Sequence, residues 1–165
     1  MIEYHPFPPF IPKDCQRLIV GSFPGKENTR NPTDESWSYG ARRNQFWPIM
    51  EAVFETQLPT KKAKQNLLAT HKIGLADIIQ SCERSKNSNL DSNLINKTYN
   101  PHLEKIISDK PIKQLLFTGK GVMKEFQKHF RICENVELIA LPSPSPAFMM
   151  MTFQQKVDVY KSVLL

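Results

Sequence analysis

The sequence predicts an α/β fold, a parallel sheet with helices on both faces, and three observations carry that expectation. Short apolar runs recur at 18–20, 75–79, 112–118 and 136–141, and stretches with helical spacing separate them. Strands that alternate with helices pair in parallel and bury both faces, so they read as continuous apolar runs. The first and last runs also end in stiff loops, Gly21-Ser22-Phe23-Pro24-Gly25 and Pro142-Ser143-Pro144-Ser145-Pro146. Ligands of such sheets bind beyond the carboxyl ends of the strands.

Each element has its own local reason. Residues 1–14 hold four of the 13 prolines and predict an extended arm rather than a helix. Gln16 to Phe23 reads as the first buried strand. Residues 26–38 are polar and turn-rich, which predicts a mobile loop beside the pocket. Asn44 precedes a helical pattern with Phe46, Ile49, Met50, Val53 and Phe54 on one face and Pro48 in the first turn.

Lys61 to His71 predicts a second helix that stops near Gly74. A short strand over Leu75–Ile79 follows, then a polar loop from Ser81 to Asn93. Asn100-Pro101 signals a cap and a first-position proline for a helix through Ile107. A strand over Ile112–Thr118, a helix over Gly121–Phe130 and a last strand over Val136–Leu141 come next. Thr152 with Gln155 three residues later forms a capping box for the final helix.

Composition narrows the function classes. A chain of 165 residues, 40% hydrophobic and 23% charged, fits one compact domain over residues 1–165. No apolar run is long enough to cross a membrane, and the first residues lack the pattern of a signal peptide, so a cytoplasmic location is expected. Cys15, Cys82 and Cys133 are odd in number and far apart, which argues against a disulfide framework. The four histidines, His5, His71, His102 and His129, show no metal-ligand spacing, so no metal and no cofactor is expected. A net charge of +6 favours a polyanionic partner, although a merely solvated basic surface gives the same number. Gly25-Lys26 lacks the spacing and the following hydroxyl of a phosphate-binding NTPase loop.

The segments GSFPG at 21–25, YGARRNQFW at 39–47, GLADIIQSCERSKNSNLDS at 74–92 and LPSPSPA at 141–147 resemble the uracil-DNA glycosylase superfamily. Within it they are most similar to the hypoxanthine-DNA glycosylase-like branch. The similarity runs from about residue 17 to the C-terminus. NQFW followed by LPSPSPA is its specific part, because tight Gly/Pro loops like GSFPG are common. The resemblance implies a three-layer α/β/α sandwich with a central four-stranded parallel sheet. It also implies hydrolysis of the N-glycosidic bond of a deaminated base, hypoxanthine ahead of uracil, in DNA. The three cysteines fall short of the four-thiolate iron–sulfur site that some relatives carry.

By that resemblance Asn44 serves catalysis. An amide can position water or hydrogen-bond the departing base without titrating. Read without the motif, Asn44 is an ordinary helix cap. Tyr39 and Phe46 are expected to hold the base, Phe46 by stacking, although its place on the apolar stripe equally suits a core residue. Trp47 is expected to pack. Gly21, Ser22, Phe23, Pro24 and Gly25 are expected to form the base-binding loop, with glycines allowing close backbone approach.

Two departures stand out. Phe23 occupies the position where better-known branches carry a water-activating Asp or Asn, and Leu141 stands where classical uracil enzymes have His or Asn. They motivate the alternative of a weak or inactive nucleic-acid-binding homologue. Arg42, Arg43, Ser143 and Ser145 are expected to contact DNA phosphates. Phe148, Met149 or Met150 is expected to wedge into the vacated stack or else to anchor the last helix. Lys120, Lys124 and Lys128 share a helical face that suits solvent better than phosphate. Asp77 is expected to cap a helix, with substrate contact as the other option. No motif lysine is placed to attack the sugar, so a monofunctional glycosylase is expected, acting as a monomer.

Overall fold

The computed structural model describes residues 1–165. In chain order the elements are β1 (Ile2–Tyr4), β2 (Arg17–Gly21), α1 (Lys26–Arg30), α2 (Phe46–Phe54), α3 (Lys61–Thr70), β3 (Ile73–Asp77) and β4 (Ile79–Arg84). Then come β5 (Leu94–Tyr99), α4 (Leu103–Asp109), β6 (Gln114–Phe117), α5 (Lys120–His129), β7 (Glu137–Ala140) and α6 (Phe153–Leu164).

The expected four-stranded parallel sheet is present, in the order β3-β2-β6-β7. Its register sets Gly21 opposite Asp77 and Val20 opposite Phe117, which in turn faces Ala140. All four strands therefore end together, and the loops leaving them share one edge. Successive residues of β2 point to opposite faces of the sheet. Ile19 joins an apolar cluster with Phe46, Ile49, Met50, Leu68 and Tyr160, which places α2, α3 and α6 on that face. Leu18 and Val20 join Leu103, Ile107, Val122 and Phe126, which places α4 and α5 on the other.

The capping box acts as read, whereas α4 begins two residues later than Asn100-Pro101 predicts, with His102 at its N-cap. Thr152 and Gln155 form the capping box of α6, with Gln155 N–H donating to Thr152 Oγ1 at 3.1 Å and Thr152 N–H to Gln155 Oε1 at 2.8 Å. Asn100 Oδ1 accepts from His102 N–H at 2.9 Å and turns the chain into α4, which starts at Leu103. Gly74 lies inside β3 rather than at a helix stop, against Cys15, Leu18 and Phe10, where a side chain would collide.

A second, antiparallel sheet in the order β1-β4-β5 was not legible in the sequence. It corrects two expectations, and a short helix corrects a third. The polar loop over Ser81–Asn93 is strand as far as Arg84, and the strand expected over Leu75–Ile79 ends at Asp77. The loop at 26–38 opens with the short helix α1. The proline-rich arm is extended as expected, yet it is docked: Ile2–Tyr4 pair with β4, and Phe10 exchanges backbone hydrogen bonds with Leu75 at 2.9 Å. Glu3 anchors the arm. It is buried and accepts from Thr29 Oγ1, Arg84 Nε and Arg30 Nη2. Burial alone would push its carboxyl up. The Thr29 hydroxyl and the two guanidinium groups outweigh that and hold it below the usual carboxylate range.

Candidate active site

Beyond the carboxyl ends of the parallel strands lies a cavity of about 720 Å³. That size suits a small-molecule or nucleotide ligand. Its walls are the two loops singled out in the sequence, the Tyr39–Asn44 segment, Asp77, Thr118 and residues 88–91. Ser22, Phe23, Pro24, Gly25, Tyr39, Arg42, Arg43, Asn44, Ser143, Ser145 and Phe148 all line it, so segments more than 120 residues apart in sequence meet.

Both loops are held from behind. Arg84, buried beneath the first, donates through Nη2 to Pro24 O at 2.7 Å, and its guanidinium lies 5.8 Å from the centre of the Phe23 ring. Ser22 Oγ donates to Asp91 Oδ1 at 2.8 Å, and Lys26 N–H to Asn89 Oδ1 at 2.9 Å. Solvent reaches Asp91 from the cavity, but protein crowds its carboxyl on the remaining sides. This desolvation pushes its pKa up, and the nearby Asp77 adds to the rise against the Ser22 hydrogen bond. Behind the second loop, Tyr160 Oη donates to Pro142 O at 2.8 Å. Gln45 N–H donates to Pro144 O at 2.8 Å and joins that loop to the start of α2.

Asn44 does two things at once. Its Oδ1 accepts from Phe46 N–H at 2.9 Å, as a helix cap does, while the residue lines the cavity. No protein acceptor binds its Nδ2, which is left to donate to whatever occupies the pocket.

Phe46 requires a correction. It is 0% exposed and does not line the cavity. Its ring stacks under Tyr39, centroids 4.1 Å apart, and meets Trp47 and Tyr160 edge-on. A base cannot reach it; Tyr39 stands between. The stripe it forms with Ile49, Met50 and Val53 is the core face of α2. Trp47 packs as expected, stacked on Trp37 with its indole N–H donating to Ser38 O at 2.8 Å.

Gly21 also lies behind the wall rather than on it. A Cβ there would sit 2.5 Å from the Tyr39 hydroxyl and 2.6 Å from Asp77 Oδ1, so its role is to leave room for those two groups. Tyr39 itself holds φ at +60°, an uncommon value for a bulky residue. Its hydroxyl lies 3.2 Å from Thr118 Oγ1. Burial, and then the neighbouring Asp77, push the phenol well above its ordinary pKa, so it stays protonated.

Asp77 departs from the helix cap expected of it. It ends β3, caps no helix and lines the cavity. His5 Nδ1 accepts from Phe7 N–H at 3.1 Å, so its Nε2 carries the hydrogen and donates to Asp77 Oδ2 at 2.7 Å. Asp77 Oδ1 has no hydrogen-bond partner in the protein and is not fully buried, in a residue that lines the cavity. A carboxylate at the carboxyl end of an apolar run was a usable signal. His5, 72 residues away on the arm, left none.

At the rim Arg42 and Arg43 are exposed, as phosphate contacts need. Met149 and Met150 are 85% and 87% exposed, whereas Phe148 is half-buried on the cavity wall. Lys120, Lys124 and Lys128 form a solvated face on α5.

Known proteins resemble this chain in sequence and in fold. The sequence model of the uracil DNA glycosylase superfamily matches residues 8–164. A hypoxanthine DNA glycosylase of Methanosarcina barkeri is 30% identical over 118 residues, covering 69% of this chain and 70% of that protein. A solution NMR structure from Methanosarcina acetivorans, described as a candidate uracil DNA glycosylase, superposes with a TM-score of 0.72 at 23% identity over 99% of both chains. That likeness shows the fold. With the family match spanning nearly the whole chain, the protein belongs to the uracil DNA glycosylase superfamily.

Proposed function

We propose that the protein is a monofunctional DNA glycosylase that hydrolyses the N-glycosidic bond of a deaminated base, with hypoxanthine preferred over uracil. The relative from Methanosarcina barkeri carries hypoxanthine in its name and supports that order. The observation that carries the reading is the unpartnered Oδ1 of Asp77 in a cavity that also presents the free Nδ2 of Asn44. Deamination turns the N1 lone pair of adenine into an N–H in hypoxanthine, and the N3 lone pair of cytosine into an N–H in uracil. An ionised carboxylate accepts hydrogen bonds and cannot donate one. Asp77 can therefore accept the ring N–H that deamination creates, which adenine at N1 and cytosine at N3 do not offer, with His5 fixing its orientation.

A base must leave the stack to enter such a cavity. Tyr39 and Phe23 supply its aromatic walls, and Arg42, Arg43, Ser143 and Ser145 hold the flanking phosphates. As the bond breaks, negative charge gathers on the departing base, and Asn44 Nδ2 donates to it, strengthening in the transition state. Phe23 cannot activate water, so assistance to the leaving base carries the catalysis.

Single-turnover assays on duplexes bearing one hypoxanthine, uracil, xanthine or adenine test this. Release of hypoxanthine fastest, with adenine untouched, is the expected result. Asp77→Asn, which can present an amide donor, should narrow the gap between hypoxanthine and adenine. Binding to every duplex without release of any base would establish the alternative, a non-catalytic homologue.

A further inference from the structure

Lys156 is 1% exposed, yet it forms no ion pair. Its polar partners are both neutral: Nζ donates to Gln45 Oε1 at 2.8 Å and to Ser145 O at 3.2 Å, and it lies 5.3 Å from the centre of the Phe148 ring. A buried ammonium without a carboxylate is costly unless its hydrogen bonds are well made. All three partners belong to the cavity's frame. Gln45 directly follows Asn44 at the start of α2, Ser145 sits in the second loop, and Phe148 lines the wall beyond it. Tyr160 is one helical turn further along α6 and holds Pro142 O of the same loop. One face of α6 thus grips the second loop at two carbonyls, and Lys156 adds a hydrogen bond from that face to Gln45 at the start of α2.

We infer that Lys156 is a positioning residue, tying the second loop to the Asn44-bearing end of α2 so that the phosphate-holding and base-assisting walls keep their spacing. Its catalytic consequence rests on the glycosylase reading; the tie itself does not. With Lys156 in place, the Gln45 N–H to Pro144 O bond stays closed. Without it, α6 holds the loop through the Tyr160 hydrogen bond alone, and the spacing between Asn44 and the loop loosens. Small misplacements of this kind cost roughly 100-fold in rate when the displaced group acts in the transition state.

The test compares the full chain with Lys156→Met, which keeps the stem and removes the donors. Amide hydrogen exchange reports the tie directly: Gln45 N–H should exchange roughly 10-fold faster or more, the scale of a lost charge-assisted hydrogen bond, while amides of the parallel sheet are unchanged. The single-turnover rate on a hypoxanthine duplex should fall roughly 10- to 100-fold. Duplex affinity should change far less, because phosphate contacts dominate it. If Lys156→Met does not fold, Lys156→Gln, which retains one amide donor, is measured in the same way. Unchanged Gln45 exchange in a folded variant overturns the inference, whatever the enzyme does. An undiminished rate overturns the catalytic half. If the native protein releases no base, the glycosylase reading fails, and the exchange result still decides whether the tie exists.

Discussion

Replacing Asn44 separates its two structural roles, because Asp and Ala remove different parts of the side chain. Oδ1 caps α2 by accepting from Phe46 N–H at 2.9 Å, and Nδ2 is the free donor in the cavity. Asn44→Asp keeps an acceptor for the cap and removes the donor. Asn44→Ala removes both. A lost cap costs about 1 kcal/mol, which in a chain of this length lowers Tm by roughly 2–4 °C. One lost transition-state donor costs about 100- to 1,000-fold in rate, or roughly 3–4 kcal/mol. Asn44→Asp should therefore hold its Tm and lose the rate, whereas Asn44→Ala should lose both. Rate is read by single-turnover release from a hypoxanthine duplex, stability by thermal melting, and duplex affinity by titration. The donor is used fully only in the transition state, so affinity should barely move for Asn44→Ala. An Asn44→Asp enzyme as fast as the native one, or an Asn44→Ala enzyme that loses only stability, would refute the assignment and leave Asn44 a cap.

Other perturbations address the remaining parts. Phe46→Ala should cost about 3–5 kcal/mol as a large-to-small change in the core; a folded variant with weaker base retention and an unchanged Tm would restore Phe46 to the binding site. Arg42→Ala and Arg43→Ala should each weaken binding to all duplex sequences alike and reduce the salt slope of affinity by about 1. A loss confined to damaged duplexes would contradict that. Glu3 has a lowered pKa in the folded state, so its contribution is full above the unfolded value near 4.5 and is lost as pH falls through the lower folded value. Glu3→Gln should flatten the acid limb of Tm against pH; an identical acid limb would show that the Arg84 cluster holds without the charge.

Whatever depends on neighbours along the chain is readable from residue order alone. The apolar runs set the parallel strands, Thr152 and Gln155 set the start of α6, and the two proline-rich loops set where the cavity opens. Each rests on backbone propensity, capping or a fixed proline φ, which act within a few residues. The small antiparallel sheet leaves little trace in the sequence because β1 is only three residues long and the pairing of β4 with β5 carries register shifts. Its stability comes from partners remote in sequence. For the same reason the helical stripe could not say whether Phe46 faces base or core; stacking against Tyr39 and Tyr160 decided it. The site chemistry was decided last and only in three dimensions. Parallel register sets Asp77 opposite Gly21, the docked arm brings His5 to its carboxylate, and α6 delivers Lys156 beside Gln45. Charges and hydrogen bonds act over a few ångströms of space, and separations of 72 and 111 residues along the chain leave no periodic trace from which to read them.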